Sequence, residues 1–129
     1  MTTYFGTTTV TYSTVEDNDI GMFVEAGVLE VGNTHIKNSA DMNIWQYDTS
    51  TVSIIDSVIS GSGLDGIMQD AGTATVTGTE FYDNYRAGYM AFGGYVGNLS
   101  NNSFHGNSVG FETYVTATTT AENNYWGAT

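Results

Sequence analysis

A repeat of 21–23 residues runs through this chain from one end to the other, and no other feature constrains its fold as tightly. One set of apolar positions reads Val10, Val31, Ile54, Val76 and Leu99, at steps of 21, 23, 22 and 23. A second set reads Val15, Ile36, Ile59, Phe81, Phe104 and Trp126, and a third Met22, Ile44, Ile67, Tyr89 and Phe111. A fixed period of this size means stacked supersecondary units, each burying its apolar edge only against its neighbours. The units run roughly over 7–27, 28–50, 51–72, 73–94 and 95–116, with a partial unit at 117–129, so the 129 residues read as one domain.

Inside each unit the pattern alternates with period two, as in Thr7-Thr8-Thr9-Val10-Thr11 and Thr73-Ala74-Thr75-Val76-Thr77. Short alternating stretches rich in β-branched residues and separated by Gly and Asn indicate strands, and no segment carries a helical stripe ten residues long. A leucine-rich repeat would need several Leu per unit, whereas the chain has only Leu29, Leu64 and Leu99. A parallel β-helix needs about three short strands per turn, each with an inward apolar residue, and the three columns supply them. Coils stacked at about 4.8 Å would form a rod roughly 25–30 Å long. A polar ladder, Asn18, Ser39, Ser62, Asn84 and Asn107, keeps the same period and suits sharp turns in which stacked side chains bond one another. A further column, Gly21, Asn43, Gly66, Gly88 and Gly110, is expected to hold residues that accept unusual backbone angles.

The segment Asn101-Asn102-Ser103-Phe104-His105-Gly106-Asn107-Ser108-Val109-Gly110-Phe111 resembles the coil consensus of right-handed parallel β-helix proteins, the pectate-lyase-like superfamily. The terminal Asn123-Asn124-Tyr125-Trp126-Gly127 is similar to a motif that closes such arrays. The resemblance implies an all-β, right-handed parallel β-helix of about five to six coils. It also implies an extracellular or cell-surface location. It does not choose among polysaccharide lyases, hydrolases, copper-site maturation proteins, phage tailspikes and surface modules, because function cannot be read from the fold alone. No basic segment followed by an apolar run opens the chain, and repeat-like sequence begins almost at Met1, so a piece of a longer secreted chain is expected.

Charge and composition exclude some partners. Lys37 and Arg86 stand against fourteen acidic residues, giving a net charge of −12, which argues against nucleic acid or an anionic membrane surface. No stretch approaches the roughly twenty apolar residues of a membrane span. The chain has no Cys, so neither a disulfide framework nor a Cys/His zinc site arises.

A catalytic set is harder to find. Lyases of the resembled superfamily abstract a proton with Lys or Arg beside calcium-binding carboxylates; here Lys37 and Arg86 lie two units apart and read as solvated turn residues. Hydrolases of that fold use several Asp on adjacent coils. The chain has Asn18-Asp19 and Asp83-Asn84, but no Asp-Asp pair and no Gly-His-Gly. His35 and His105 flank the second apolar column on opposite sides and read as exposed turn histidines. Glu16, Asp17 and Asp19 form the one weak calcium candidate, without a defined calcium-loop motif.

The stronger candidate is an outward face. In the third strand of each coil the residue after the inward position is Phe23, Trp45, Met68, Met90 or Glu112, and two further on stands Glu25, Tyr47, Asp70, Phe92 or Tyr114. Period-two geometry sends both columns away from the core. Aromatics mixed with carboxylates on a flat sheet could stack on sugar rings and bond their hydroxyls. The competing readings are a protein or self-association face, or burial beneath a loop or a further domain. Thr7-x-Thr9, Thr51-x-Ser53, Thr73-x-Thr75 and Thr118-x-Thr120 suggest an ice-binding array, interrupted at Val28-x-Glu30 and Val96-x-Asn98. The open ends of a β-helix must be capped, covered or stacked. Met1–Gly6, with Tyr4 and Phe5, is expected to cap one end and Tyr125-Trp126 the other, with end-to-end self-association if the caps fail. The expected function is a non-catalytic extracellular module with a structural, adhesive or self-assembly role; the alternative is carbohydrate binding or processing, and ice binding is a minor one.

Overall fold

The computed structural model describes residues 1–127. Its strands, numbered along the chain, form three parallel sheets that wrap a single core. The first sheet contains β1 (Thr2–Thr3), β4 (Met22–Val24), β7 (Ile44–Gln46), β10 (Ile67–Gln69), β13 (Ala87–Ala91) and β16 (Val109–Thr113). The second contains β2 (Thr7–Thr11), β5 (Val28–Gly32), β8 (Thr51–Ile55), β11 (Thr73–Thr77) and β14 (Tyr95–Ser100). The third contains β3 (Thr14–Glu16), β6 (His35–Lys37), β9 (Val58–Ser60), β12 (Glu80–Tyr82) and β15 (Ser103–His105). Bridges from Asn98 to Thr120 and from Ser103 to Tyr125 add a sixth level to the second and third sheets. The expected parallel β-helix is therefore the observed fold.

All three apolar columns point inward in register. Val31, Ile54, Val76 and Leu99 line the second sheet, Ile36, Ile59, Phe81 and Phe104 the third, and Met22, Ile44, Ile67 and Tyr89 the first; each is buried. Phe81, Phe104 and Trp126 stack face to face, with ring centroids 4.7 and 4.9 Å apart. Tyr89 is wholly buried and donates its hydroxyl to Gln69 Oε1 at 2.6 Å. Burial pushes its phenol well above the usual tyrosine range, so the proton stays in place for that bond.

The corners explain the polar residues, with two corrections. Tyr12, Asn33, Asp56, Gly78, Asn101 and Asn123 take positive φ between the second and third sheets. Asp17, Asn38, Gly61, Asp83 and Gly106 do so after the third. The left-handed residue at this second corner is thus the one before Asn18, Ser39, Ser62, Asn84 and Asn107, and of these Ser62, Asn84 and Asn107 instead tie coils together through their side chains, whereas the buried Ser39 hydroxyl has no partner among the described residues. Asn84 Oδ1 accepts the Ser62 N–H at 3.2 Å, and Asn107 Oδ1 accepts the Asn84 N–H at 3.0 Å. Asn18, at the outermost coil, only bonds the Glu16 carbonyl. The column from Gly21 to Gly110 does not carry positive φ. Its glycines answer a lack of space: a Cβ on Gly21 would come within 2.5 Å of the Asn43 carbonyl oxygen, and one on Gly66 would collide with the Gly88 carbonyl.

A second side-chain ladder, not anticipated from the sequence, runs along the other corner. The N–H groups of Ser13, Thr34, Ser57, Thr79 and Asn102 each donate to the side-chain oxygen one coil on, ending at Asn124. These contacts satisfy corner N–H groups that lie outside the strand pairings, Thr34, Ser57, Thr79 and Asn102 being buried. The period changes from 22 to 23 at identifiable places. One extra residue enters the corner after β7, at Tyr47–Ser50, and one forms a bulge at Gly97, where the register shifts between Ala74 and Thr75.

The N-terminal cap is corrected. Thr2 and Thr3 pair with Phe23 and Val24 as the edge strand of the first sheet, leaving Tyr4 and Phe5 exposed at 56% and 88% rather than folded over the end. Trp126 does cover Phe104, while remaining 49% exposed on its other side.

Candidate functional site

The outward face of the first sheet gathers the predicted residues. Backbone pairing aligns Phe23, Trp45, Met68, Met90 and Glu112 as one column. Phe23 and Trp45 lie 5.1 Å apart between ring centroids, and Trp45 meets Tyr47 edge-on at 6.2 Å. Farther along, Phe92 and Tyr114 stack at 5.4 Å with nearly parallel rings. Between these clusters Asp70 accepts the Trp45 indole N–H at 2.7 Å. Tyr47, Phe92 and Tyr114 are 46%, 42% and 63% exposed, whereas Met90, read from sequence as an outward surface residue, is buried. Its strand neighbours Met68 and Glu112 are themselves only half-buried.

Register adds a residue that the sequence reading had assigned to a cap. One position beyond the Thr3–Val24 pair, Tyr4 stands at the head of the second outward column, which then reads Tyr4, Glu25, Tyr47, Asp70, Phe92, Tyr114. Aromatic and acidic side chains alternate over its first five coils. Coils rise by about 4.8 Å, so successive aromatics there recur about 10 Å apart.

Arg86 is not a solvated turn residue. Its Nε donates to Asp65 Oδ1 at 2.9 Å and its Nη2 to Asp65 Oδ2, while the Ala87 N–H donates to Oδ1 at 3.1 Å. Asp65 is fully buried, and the bond to it holds the Arg86 guanidinium above its usual range. The guanidinium carbon also lies over the Phe92 ring, 5.8 Å from its centroid, so the pair adjoins the aromatic face. Tyr114 donates its hydroxyl to Glu112 at 2.7 Å, which raises its pKa. The spacing of Asp65 and Arg86 carries no motif; a single Arg one coil after a lone inward Asp was the only signal in the sequence.

The third sheet carries a second outward cluster. Lys37 and the two histidines sit on strands there, not in turns. Lys37 pairs with Glu16 at 2.9 Å, and that bond raises its pKa. His35 Nε2 lies 2.8 Å from Ser60 Oγ, and His105 Nε2 lies 2.7 Å from Glu80. Tyr82 stacks on His105 at 5.3 Å and lies 6.5 Å from His35. Burial, and then the Lys37 charge, lower the His35 pKa.

The remaining features are more dispersed. Glu16 is engaged by Lys37, and Asp17 forms a left-handed corner. Among the described residues no three His, Asp or Glu side chains converge as a metal site. On the second sheet, Tyr95 rather than Val96 occupies the outward position beside Thr73, because Val96 is buried and the bulge follows it. The threonine array is thus interrupted by Val28 and Glu30 in one coil and by Tyr95 and Asn98 in another.

Residues 2–126 match the family model for the right-handed β-helix region. Neither a curated protein nor a solved structure matches the chain. With the match covering nearly every coil, and the parallel three-sheet solenoid beneath it, the chain belongs to the right-handed β-helix family.

Proposed function

We propose that this protein is a non-catalytic, extracellular adhesive module whose ligand-bearing surface is the outward face of the first sheet. The observation that carries the reading is the alternating aromatic and acidic column Tyr4, Glu25, Tyr47, Asp70, Phe92, flanked by Trp45 and by Arg86, which Asp65 anchors. An exposed apolar patch of this kind marks an interaction site. The scaffold beneath it is held by strand pairing from coil to coil and by the corner ladder from Ser13 to Asn124.

A polysaccharide is the ligand class that this face suits. Flat rings at regular intervals offer stacking surfaces to sugar rings, and the carboxylates between them offer acceptors to hydroxyls. The coil rise of about 4.8 Å is close to the length of one sugar in an extended chain. The test is binding to a broad glycan array, with a Trp45→Ala, Tyr47→Ala double variant as control. Loss of binding in the variant supports carbohydrate recognition here. Binding that survives the double variant moves the site elsewhere, and no binding to any glycan leaves a protein ligand for the adhesive face.

A further inference from the structure

The outer face of the second sheet carries a recess that neither the fold nor the aromatic face accounts for. The side chains projecting from this sheet form three columns, and threonine or serine recurs in each. The coil of β5 breaks all three: Val28 stands between Thr7 and Thr51, Glu30 between Thr9 and Ser53, and Gly32 between Thr11 and Ile55. Around Gly32 lies a recess of about 320 Å³, walled by Thr11, Glu30, Asn33, Ser53 and Ile55. That volume is at the small end for a ligand pocket. Most glycines of this chain are explained by a positive φ or by a carbonyl that a Cβ would strike, and Gly32 is explained by neither. Its φ lies outside the left-handed region, and a Cβ there would meet only the Thr11 Cγ2 methyl, at an ordinary 3.6 Å. A glycine in a paired strand weakens it and often marks a place where a ligand approaches the backbone.

The walls differ in chemistry. Ile55 is an exposed apolar side chain on one side of Gly32, and the Thr11 methyl faces the gap from the other. Glu30, at the rim, is exposed; its Oε2 accepts the Thr9 hydroxyl at 3.1 Å, and its Oε1 makes no bond among the described residues. Both basic residues are engaged elsewhere, Lys37 with Glu16 and Arg86 with Asp65, so no side chain neutralises this carboxylate. We infer that the recess binds an alkylammonium group, its stem lying on Gly32 between Ile55 and the Thr11 methyl and its charge meeting Glu30. A neutral chain of the same shape leaves the carboxylate without a counter-charge, and an anionic one is repelled. The recess is on a different sheet from the aromatic columns, so its occupancy is independent of the polysaccharide proposed there.

The test is an amide chemical-shift titration of the whole chain with n-butylamine, with n-butanol and butyrate as the neutral and anionic counterparts. Butylammonium is expected to bind in the millimolar range and to move the amides of Gly32, Asn33, Ser53 and Ile55. Butanol should bind more weakly, and butyrate should give no saturable shift. Glu30→Gln should lower the butylammonium affinity about threefold and leave that of butanol unchanged. Gly32→Thr supplies the side chain that the same column holds at Thr11 and Thr77, and should abolish the shifts at Ser53 and Ile55. Thermal melts separate a filled recess from a damaged fold: Gly32→Thr and Gly32→Ala should each melt at or above the wild-type temperature, because nothing in the fold requires glycine there. A lower melting temperature in both variants would show that the glycine serves packing and would overturn the proposal. So would the absence of any amine binding, equal affinity for amine and alcohol, or amine binding that survives Gly32→Thr. Nα-acetyl-lysine methylamide carries the same group on a peptide. Tighter binding than butylamine supports a lysine of a protein partner as the source of the group, and weaker binding supports a free amine.

Discussion

Along β7, β10 and β13, adjacent residues of one strand face two different environments. Ile44, Ile67 and Tyr89 point into the core and are buried, while Trp45 and Met68 in the adjacent column are half-exposed, and only Met90, at the same register, is covered. The inner column varies only among apolar side chains that fill a constant cross-section. The outer columns mix aromatic, thioether and acidic groups, a range that packing does not demand. The contrast teaches that the solenoid fixes spacing on both faces but chemistry on only one, so the outer chemistry is where a ligand can be accommodated.

The largest test of that division compares Phe104→Ala with Tyr47→Ala by denaturant unfolding. Phe104 lies between Phe81 and Trp126 in the core stack, and its truncation should cost about 3–5 kcal/mol. Tyr47, on the outside, should change stability by no more than about 0.5 kcal/mol. Equal effects would break the comparison. Asp65→Ala tests the boundary between the two regions. It removes the partner of Arg86 and leaves the Ala87 N–H without its acceptor, for an expected loss of about 1.5–3 kcal/mol. It should also weaken whatever binds at Phe92, since the guanidinium over that ring loses its anchor; binding that is unchanged would separate the two.

The smallest expected effect is a pH dependence at His35. Its folded pKa is lowered, so the neutral form is favoured in the native state. The contribution to stability is complete above the unfolded value of about 6.5. It is lost as pH falls from there through the folded value, because the unfolded chain takes up the proton first. Thermal melts of the wild type and His35→Gln, at pH values on either side of that range, should diverge slightly on the acid side. Parallel curves would mean that the histidine is indifferent to folding.

How far the sequence could be read follows from the same division. The inner columns were legible because burial admits few residue types, and a run such as Ile36, Ile59, Phe81, Phe104 repeats visibly. The corner ladder through Thr34, Ser57, Thr79 and Asn102 was not, because Ser, Thr and Asn place an oxygen at the same point while sharing no pattern of letters. The outward columns were correctly grouped by period, yet Tyr4 was missed because its strand holds only two residues. Exposure at those positions depends on neighbours across coils, which is why Met90 turned out buried. The glycine column was recognised as special for the wrong reason. A close approach between backbones and a positive φ both select glycine, and the sequence cannot distinguish them.

The bulge at Gly97 and the enlarged corner at Tyr47–Ser50 have a consequence for how such a chain can change over generations. A single inserted residue is absorbed at a corner or an outer bulge, and the next coil resumes its register within a few positions. Each coil makes its strand pairings with its immediate neighbours, so duplicating or excising a whole unit would splice like ends together and preserve every inner column. The length of the rod, and with it the number of rings it displays, is therefore a heritable variable that can be adjusted in steps of one coil without redesigning the fold.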